Sequence, residues 1–146
     1  MTVFAEFRVD VGAPVSLGDD GFGLARIVPI LGGTVTGRTM AGIILPGGAD
    51  EQRVRADGLT RIHARYVIRL EDGALVRVDS QGLRHGPPEV LAALQRGDAV
   101  DQGRIYFRTV IRLETSAPEH DALNRSLYLT SGQRIANSVL LTLTEC

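Results

Sequence analysis

Apolar and polar residues alternate singly along much of the chain, and single alternation marks a strand with one buried face. Over residues 61–70, Ile62, Ala64, Tyr66, Ile68 and Leu70 share one face, while Arg61, His63, Arg65, Val67 and Arg69 share the other. Over residues 104–114, Ile105, Phe107, Thr109, Ile111 and Leu113 oppose Tyr106, Arg108, Val110, Arg112 and Glu114. Residues 74–80 alternate likewise. The Glu71-Asp72-Gly73 segment ahead of them predicts a hairpin, because glycine accepts the positive φ of a tight turn. Further strands are predicted over 2–11, 25–35, 39–45, 52–56, 125–130 and 134–144. Gly32-Gly33, Pro46-Gly47-Gly48, Asp57-Gly58 and Ser131-Gly132 supply the turn signals. About nine strands at this spacing point to an all-β fold, an antiparallel sandwich or barrel.

One stretch departs from period two. Residues 86–97 open on Pro87-Pro88, carry Glu89 in the first turn and stop at Gly97, the start and stop signals of a short helix. Val90, Leu91 and Leu94 form its apolar stripe, suited to closing a barrel end or packing on its wall. A further helical turn is predicted over 117–123. No internal repeat or linker divides the chain, so residues 1–146 are read as one β-barrel domain.

Composition narrows the function classes. With 44% hydrophobic and 23% charged residues the chain is that of an ordinary globular protein. No run of about 18 apolar residues suggests a membrane span, and the N-terminal residues lack the apolar run of a secretory signal. One cysteine, Cys146, excludes an internal disulfide and a thiolate zinc site. A cytoplasmic setting is expected. All 16 basic residues are arginine, which keeps its charge when buried and offers a planar fork to carboxylates and phosphates. The net charge of -1 and the absence of tryptophan leave no footprint for nucleic acid. His63, His85 and His120 match no local ligand motif, so no metal is predicted, and no phosphate loop or nucleophile elbow is present. No cofactor is expected.

Gly32-Gly33-Thr34, Leu45-Pro46-Gly47-Gly48-Ala49-Asp50, Asp57-Gly58, Ala64-Arg65-Tyr66, Asp72-Gly73-Ala74-Leu75, Gly82-Leu83-Arg84-His85-Gly86-Pro87, Tyr106-Phe107-Arg108-Thr109 and Leu123-Asn124 occur in this order. The ordered set resembles the domain of unknown function 3237 family, also called uncharacterised protein family 0311, over nearly the whole chain. The resemblance implies a closed antiparallel β-barrel of lipocalin-like appearance, usually self-associating, so a homo-oligomer is expected. It implies little about chemistry. Glu51 stands where the family usually has an aromatic residue, and His63 where it usually has Asp, so a pocket built around those positions would differ here.

A barrel of this size either fills with side chains or holds one small ligand. If the Ile62/Tyr66/Ile68 and Phe107/Thr109/Ile111 faces point inward, the interior is an apolar plug and the arginines are solvated. If the opposite faces point inward, Arg65, Arg108, Glu114 and His63 line a charged cavity. General energetics favour the plug. The recurring Ala-Arg-Tyr and Tyr-Phe-Arg motifs of the family favour the pocket, which is the expectation taken forward. Within it, His63, Asp50 and Glu114 are the candidate catalytic groups, for proton transfer and charge stabilisation. Arg65, Arg108, Tyr66 and Asn124 are the candidate substrate-binding groups, for an anionic or carbonyl-bearing small molecule. Each has a structural alternative: ion bridges for the arginines, a turn cap for Asp50, core packing for Tyr66 and backbone satisfaction for Asn124. Two functions remain open. One is a cofactor-independent lyase, isomerase, cyclase or hydrolase on a small organic acid or carbonyl compound. The other is a non-catalytic ligand-binding barrel or an accessory subunit.

Overall fold

Burial of the alternating apolar faces drives the chain into ten antiparallel strands and one short helix, in a computed structural model that describes residues 2–146. The strands are β1 (Val3–Val11), β2 (Val15–Asp19), β3 (Leu24–Gly37), β4 (Gly42–Ile44), β5 (Ala49–Val54), β6 (Thr60–Leu70), β7 (Leu75–His85), β8 (Tyr106–Glu114), β9 (Leu127–Ile135) and β10 (Ser138–Glu145). Helix α1 spans Pro88–Gln95 between β7 and β8.

Eight strands close a barrel in the order β1, β10, β9, β8, β7, β6, β4, β3 and back to β1. Closure comes from β1, which pairs with β10 through Phe7↔Leu141 and with β3 through Phe7↔Val35. Between β3 and β6 the wall is shared by two segments. β4 fills one part and β5 the other, separated by the Leu45–Gly48 loop. β2 lies outside the ring, added to the first half of β3. Among the described residues no helix is long and apolar enough to cross a membrane.

The two ends of the interior differ. Phe7, Val35, Ile68, Val76, Val78, Ile111, Leu113, Tyr128 and Leu143 are almost completely buried and plug one end with hydrocarbon. Each such side chain contributes about 1.5–3 kcal/mol by leaving water. The other end, where β7 and β9 finish and β8 and β10 begin, is where polar groups turn inward.

Several turn signals prove to be strand glycines. Gly32-Gly33 does not end a strand but lies inside β3, where its partner on one side changes from β5 to β4. Gly33 has φ +145°, and a Cβ there would stand 2.0 Å from the Arg8 carbonyl oxygen of β1. Ser131-Gly132 likewise lies inside β9, and a Cβ on Gly132 would meet the Phe107 ring at 2.8 Å. The turn from β9 to β10 is Ala136-Asn137, with Ala136 at φ 52°. Gly33→Ala combines backbone strain with a clash against β1. It is expected to lower stability by roughly 3 kcal/mol or more, read from urea unfolding.

Candidate functional site

Strand alternation decides which groups enter the polar end. On β6 the buried face is Ile62, Tyr66 and Ile68, and on β8 it is Phe107, Thr109, Ile111 and Leu113. The opposite faces of both strands look out. Arg65, Arg108, Glu114 and His63 therefore stand on the outer wall, and the expectation that they line the hollow is corrected. The physical reason is the cost of desolvating four ionisable groups against the gain from burying large aliphatic side chains on the same strands.

On that wall the outward groups satisfy one another. His63 Nε2 lies 3.2 Å from Asp79 Oδ2, Arg65 Nε lies 3.5 Å from the same oxygen, and Gln81 donates to Asp79 Oδ1 at 3.2 Å. The Arg65 side chain is 68% exposed. Partial burial raises the Asp79 pKa, but the His63 and Gln81 hydrogen bonds and the nearby positive charge outweigh it and hold the carboxyl below its ordinary value. Arg108 donates to its neighbour's carbonyl, Phe107 O, at 3.0 Å and lies over the Tyr106 ring, which also stacks on His85. Glu114 sits opposite Arg77 in register on the outer face near the plugged end. Glu51 and His63, the two departures from the family pattern, are cross-strand partners on this outer wall.

Asn124 serves the backbone. Its Oδ1 accepts from Thr115 N at 2.8 Å and its Nδ2 donates to Thr115 O at 3.0 Å, tying the 3-10 segment Pro118–Arg125 to the end of β8. His120 lies 2.6 Å from Asp72 Oδ2 in the same region. The three histidines thus occupy three separate places.

Two of the candidate residues, Asp50 and Tyr66, do face the hollow, and they meet groups the sequence reading passed over. The lining includes Asp50 and Gln52 of β5, Tyr66 of β6, Ser80 and Arg84 of β7, Thr109 of β8 and Arg134 of β9, backed by Val9, Val28, Ile62, Phe107 and Leu141. Arg26 of β3 joins them by donating from Nε to Gln52 Oε1 at 2.7 Å. Gln52 in turn donates to Asp50 Oδ2 at 2.7 Å, and the His63 backbone N–H donates to Asp50 Oδ1 at 3.2 Å. Arg26, Gln52 and Asp50 form a chain of bonds along the inner wall. The free space is about 50 Å³, room for a few water-sized groups.

Arg84 and Arg134 escaped notice because of glycine. Gly82 interrupts the apolar run of β7 just after Ser80, and Ser131-Gly132 carries a turn signal that separates Arg134 from the first half of β9. Counting by two from Val76 gives Val78, Ser80, Gly82 and Arg84. From Tyr128 it gives Thr130, Gly132 and Arg134. That continuation was the available signal.

Enclosure sets the electrostatics. Burial pushes the Asp50 carboxyl up to about 6, against the Gln52 and His63 N–H bonds and the attraction of Arg84 and Arg26. Burial, with a further push from the Asp50 charge, raises the Tyr66 phenol above its ordinary value, so it stays protonated. Burial and repulsion from Arg26 and Arg134, partly offset by Asp50, bring Arg84 down to about 10. Two polar atoms here are buried without a hydrogen-bond partner in the protein: Tyr66 Oη and Arg84 Nε. A buried donor left unsatisfied costs about 1–3 kcal/mol, so each such group calls for an explanation, such as a catalytic role or a bound water or ion. The arrangement provides a carboxyl able to take or give a proton near neutrality, a phenol able to donate to an oxygen, and a surplus of positive charge.

The strands define a closed antiparallel β-barrel packed with hydrocarbon at one end and lined with ionisable groups at the other. The family described as a protein of unknown function, DUF3237, matches residues 1–146, and the chain belongs to that family. It is 43% identical to a UPF0311 protein of Rhodopseudomonas palustris over 131 residues, covering 90% of this chain and 86% of that one. It is 37% identical to a UPF0311 protein of Clostridium acetobutylicum over 134 residues, covering 91% and 85%. A Rhodopseudomonas palustris crystal structure of unknown function superposes with a TM-score of 0.92 at 38% identity, over 99% of this chain and 94% of that one. A structure described as a beta-barrel like protein, from Acinetobacter baumannii, gives 0.85 at 37% identity over 98% and 92%. An enzyme from Penicillium herquei shares the fold, with a TM-score of 0.71 at 16% identity over 98% and 92%.

Two stability predictions follow from the lining. Tyr66→Phe removes an unpartnered buried hydroxyl and is expected to stabilise the protein by about 1 kcal/mol in urea unfolding. Asp50 has a folded pKa near 6 against an ordinary 3.8, so the folded state binds the extra proton. Its contribution to stability is full below pH 4 and is lost as pH rises through 6. Asp50→Asn is therefore expected to match the parent at pH 4 and to exceed it at pH 7, by up to about 3 kcal/mol. Parallel unfolding curves across that range check the sign.

Proposed function

We propose that the hollow is the active site of a cofactor-independent enzyme that moves a proton on a small carbonyl compound, as an isomerase, lyase or cyclase does. The observation that carries this reading is one enclosed space holding a carboxyl tuned toward neutrality and a buried phenol with no partner in the protein. Strongly shifted groups converging in a sheltered site are the usual signature of acid–base chemistry.

The step needs no co-reactant. The ionised Asp50 takes a proton from the carbon beside the substrate carbonyl. The C–H electron pair becomes the new C=C bond, and the carbonyl π pair moves onto oxygen. Tyr66, kept protonated by burial, donates a hydrogen bond to that oxygen as its charge grows. Asp50 then returns the proton at a different position, or to a leaving group, and is restored. The Gln52–Arg26 chain orients the Asp50 carboxyl and leaves its second oxygen to the His63 N–H.

Proton exchange in deuterium oxide tests this directly. NMR would follow loss of α-hydrogens from a panel of small ketones, 1,3-diketones and oxo acids. The wild type is expected to accelerate exchange for at least one class, with a rate that rises with pH through about 6 and then levels. Asp50→Asn should lose about 100-fold or more, and Tyr66→Phe should lose a comparable factor while keeping the same pH midpoint. No acceleration by the wild type, or equal acceleration by Asp50→Asn, would overturn the enzyme reading and leave a binding barrel.

A further inference from the structure

Acid–base chemistry at Asp50 leaves the arginines unexplained. Arg26, Arg84 and Arg134 converge on an end of the barrel whose lining carries one carboxylate, Asp50. Arg26 directs its Nε to Gln52, and Arg134 donates from its Nε to Ala136 O at 2.9 Å. Arg84 differs from both. It is 7% exposed, its Nε meets no acceptor, and it lies over the Phe107 ring at 5.9 Å. Arginine is seldom so deeply buried unless paired, and its planar fork matches the two oxygens of a carboxylate.

Arg84 also stands between the hollow and the surface. It lines the hollow and, at the same time, a groove of about 310 Å³ between α1 and the β5–β6 turn. Leu91 of α1 and Gly58 of that turn pack so closely that a Cβ on Gly58 would lie 2.8 Å from Leu91 Cδ1. A carboxylate held on the inner side of Arg84 shares the hollow with Tyr66 and Asp50.

We propose that the substrate is a compact organic acid whose carboxylate is held by Arg84, with Arg134 beside it, while its carbonyl end faces Tyr66 and Asp50. This rests on the hollow being the active site described above and adds the class of substrate it takes. The downward shift of Arg84, caused by burial and by its two arginine neighbours, is the burden an incoming negative charge would relieve. A neutral ketone would leave that charge unmatched.

The test compares 4-oxopentanoate with its methyl ester and with inorganic phosphate, by isothermal titration against the wild type, Arg84→Gln, Arg84→Met and Arg134→Gln. Arg108→Gln on the outer wall is the control, and circular dichroism checks that each variant is folded. The acid is expected to bind the wild type and the control at least tenfold more tightly than the ester. That preference should vanish in both Arg84 variants and shrink in Arg134→Gln. Equal binding of acid and ester, no binding of the acid, undiminished preference in folded Arg84 variants, or phosphate binding as tightly as the acid would overturn the proposal. Asp50-dependent exchange on neutral ketones without acid preference would sink the carboxylate site alone. Arg84-dependent acid binding without any exchange would sink the catalytic reading alone.

Discussion

Withdrawal of water from charged groups is the constraint on which the open end of this barrel depends. Asp50 and Arg84 face a space walled by Val9, Val28, Ile62, Phe107 and Leu141, where burial outweighs the two hydrogen bonds of Asp50 and Arg84 Nε has no acceptor. That arrangement is unfavourable for folding taken alone. It persists because the other half of the same barrel, built on Phe7, Ile68, Val78, Ile111, Leu113 and Leu143, is packed with hydrocarbon and needs no polar concession. Stability and reactivity are separated along the barrel axis.

The site is also stiff. Its polar groups stand on strands rather than loops, so their positions follow from ladder register. Arg26 lies opposite Gln52, Asp50 opposite Ala64, and Arg84 opposite Phe107. The hydrogen bond from Arg26 to Gln52 runs across that register, and the one from Gln52 to Asp50 runs along β5. For the proposed proton transfer, such preorganisation would spare the reorganisation that a flexible site undergoes.

Much of the architecture was readable from alternation alone. The strands over 61–70 and 104–114, the Asp72-Gly73 hairpin and the helix after Pro87-Pro88 all appear close to where period two and the capping signals put them. β2 was missed, because Val15–Asp19 is exposed throughout and carries no buried face to imprint a pattern. Of the candidate residues, two face the hollow. Asp50 and Tyr66 were named, but the arginines chosen were those of the cleanest alternating strands, where charge faces solvent. The arginines that turn inward lie beyond Gly82 and Gly132, where a missing side chain breaks the pattern by making room for β8 and for the Phe107 ring. Two-sided alternation tells that a strand has an inside, and the sizes of the apolar residues tell which side it is. Family motifs gave the opposite answer for Arg65 and Arg108, whose recurrence fits the ion pair with Asp79 and the stack on Tyr106.

Placing every reactive group at an every-second-residue position has an evolutionary consequence. Inserting or deleting one residue in β5, β7 or β9 would rotate the whole remaining strand, exposing Asp50, Arg84 or Arg134 and driving its outward neighbour into the lumen. Length variation, the easy route by which loop-built sites diversify, is closed here. The lining of the hollow can change only by exchanging one side chain for another at fixed places in the weave.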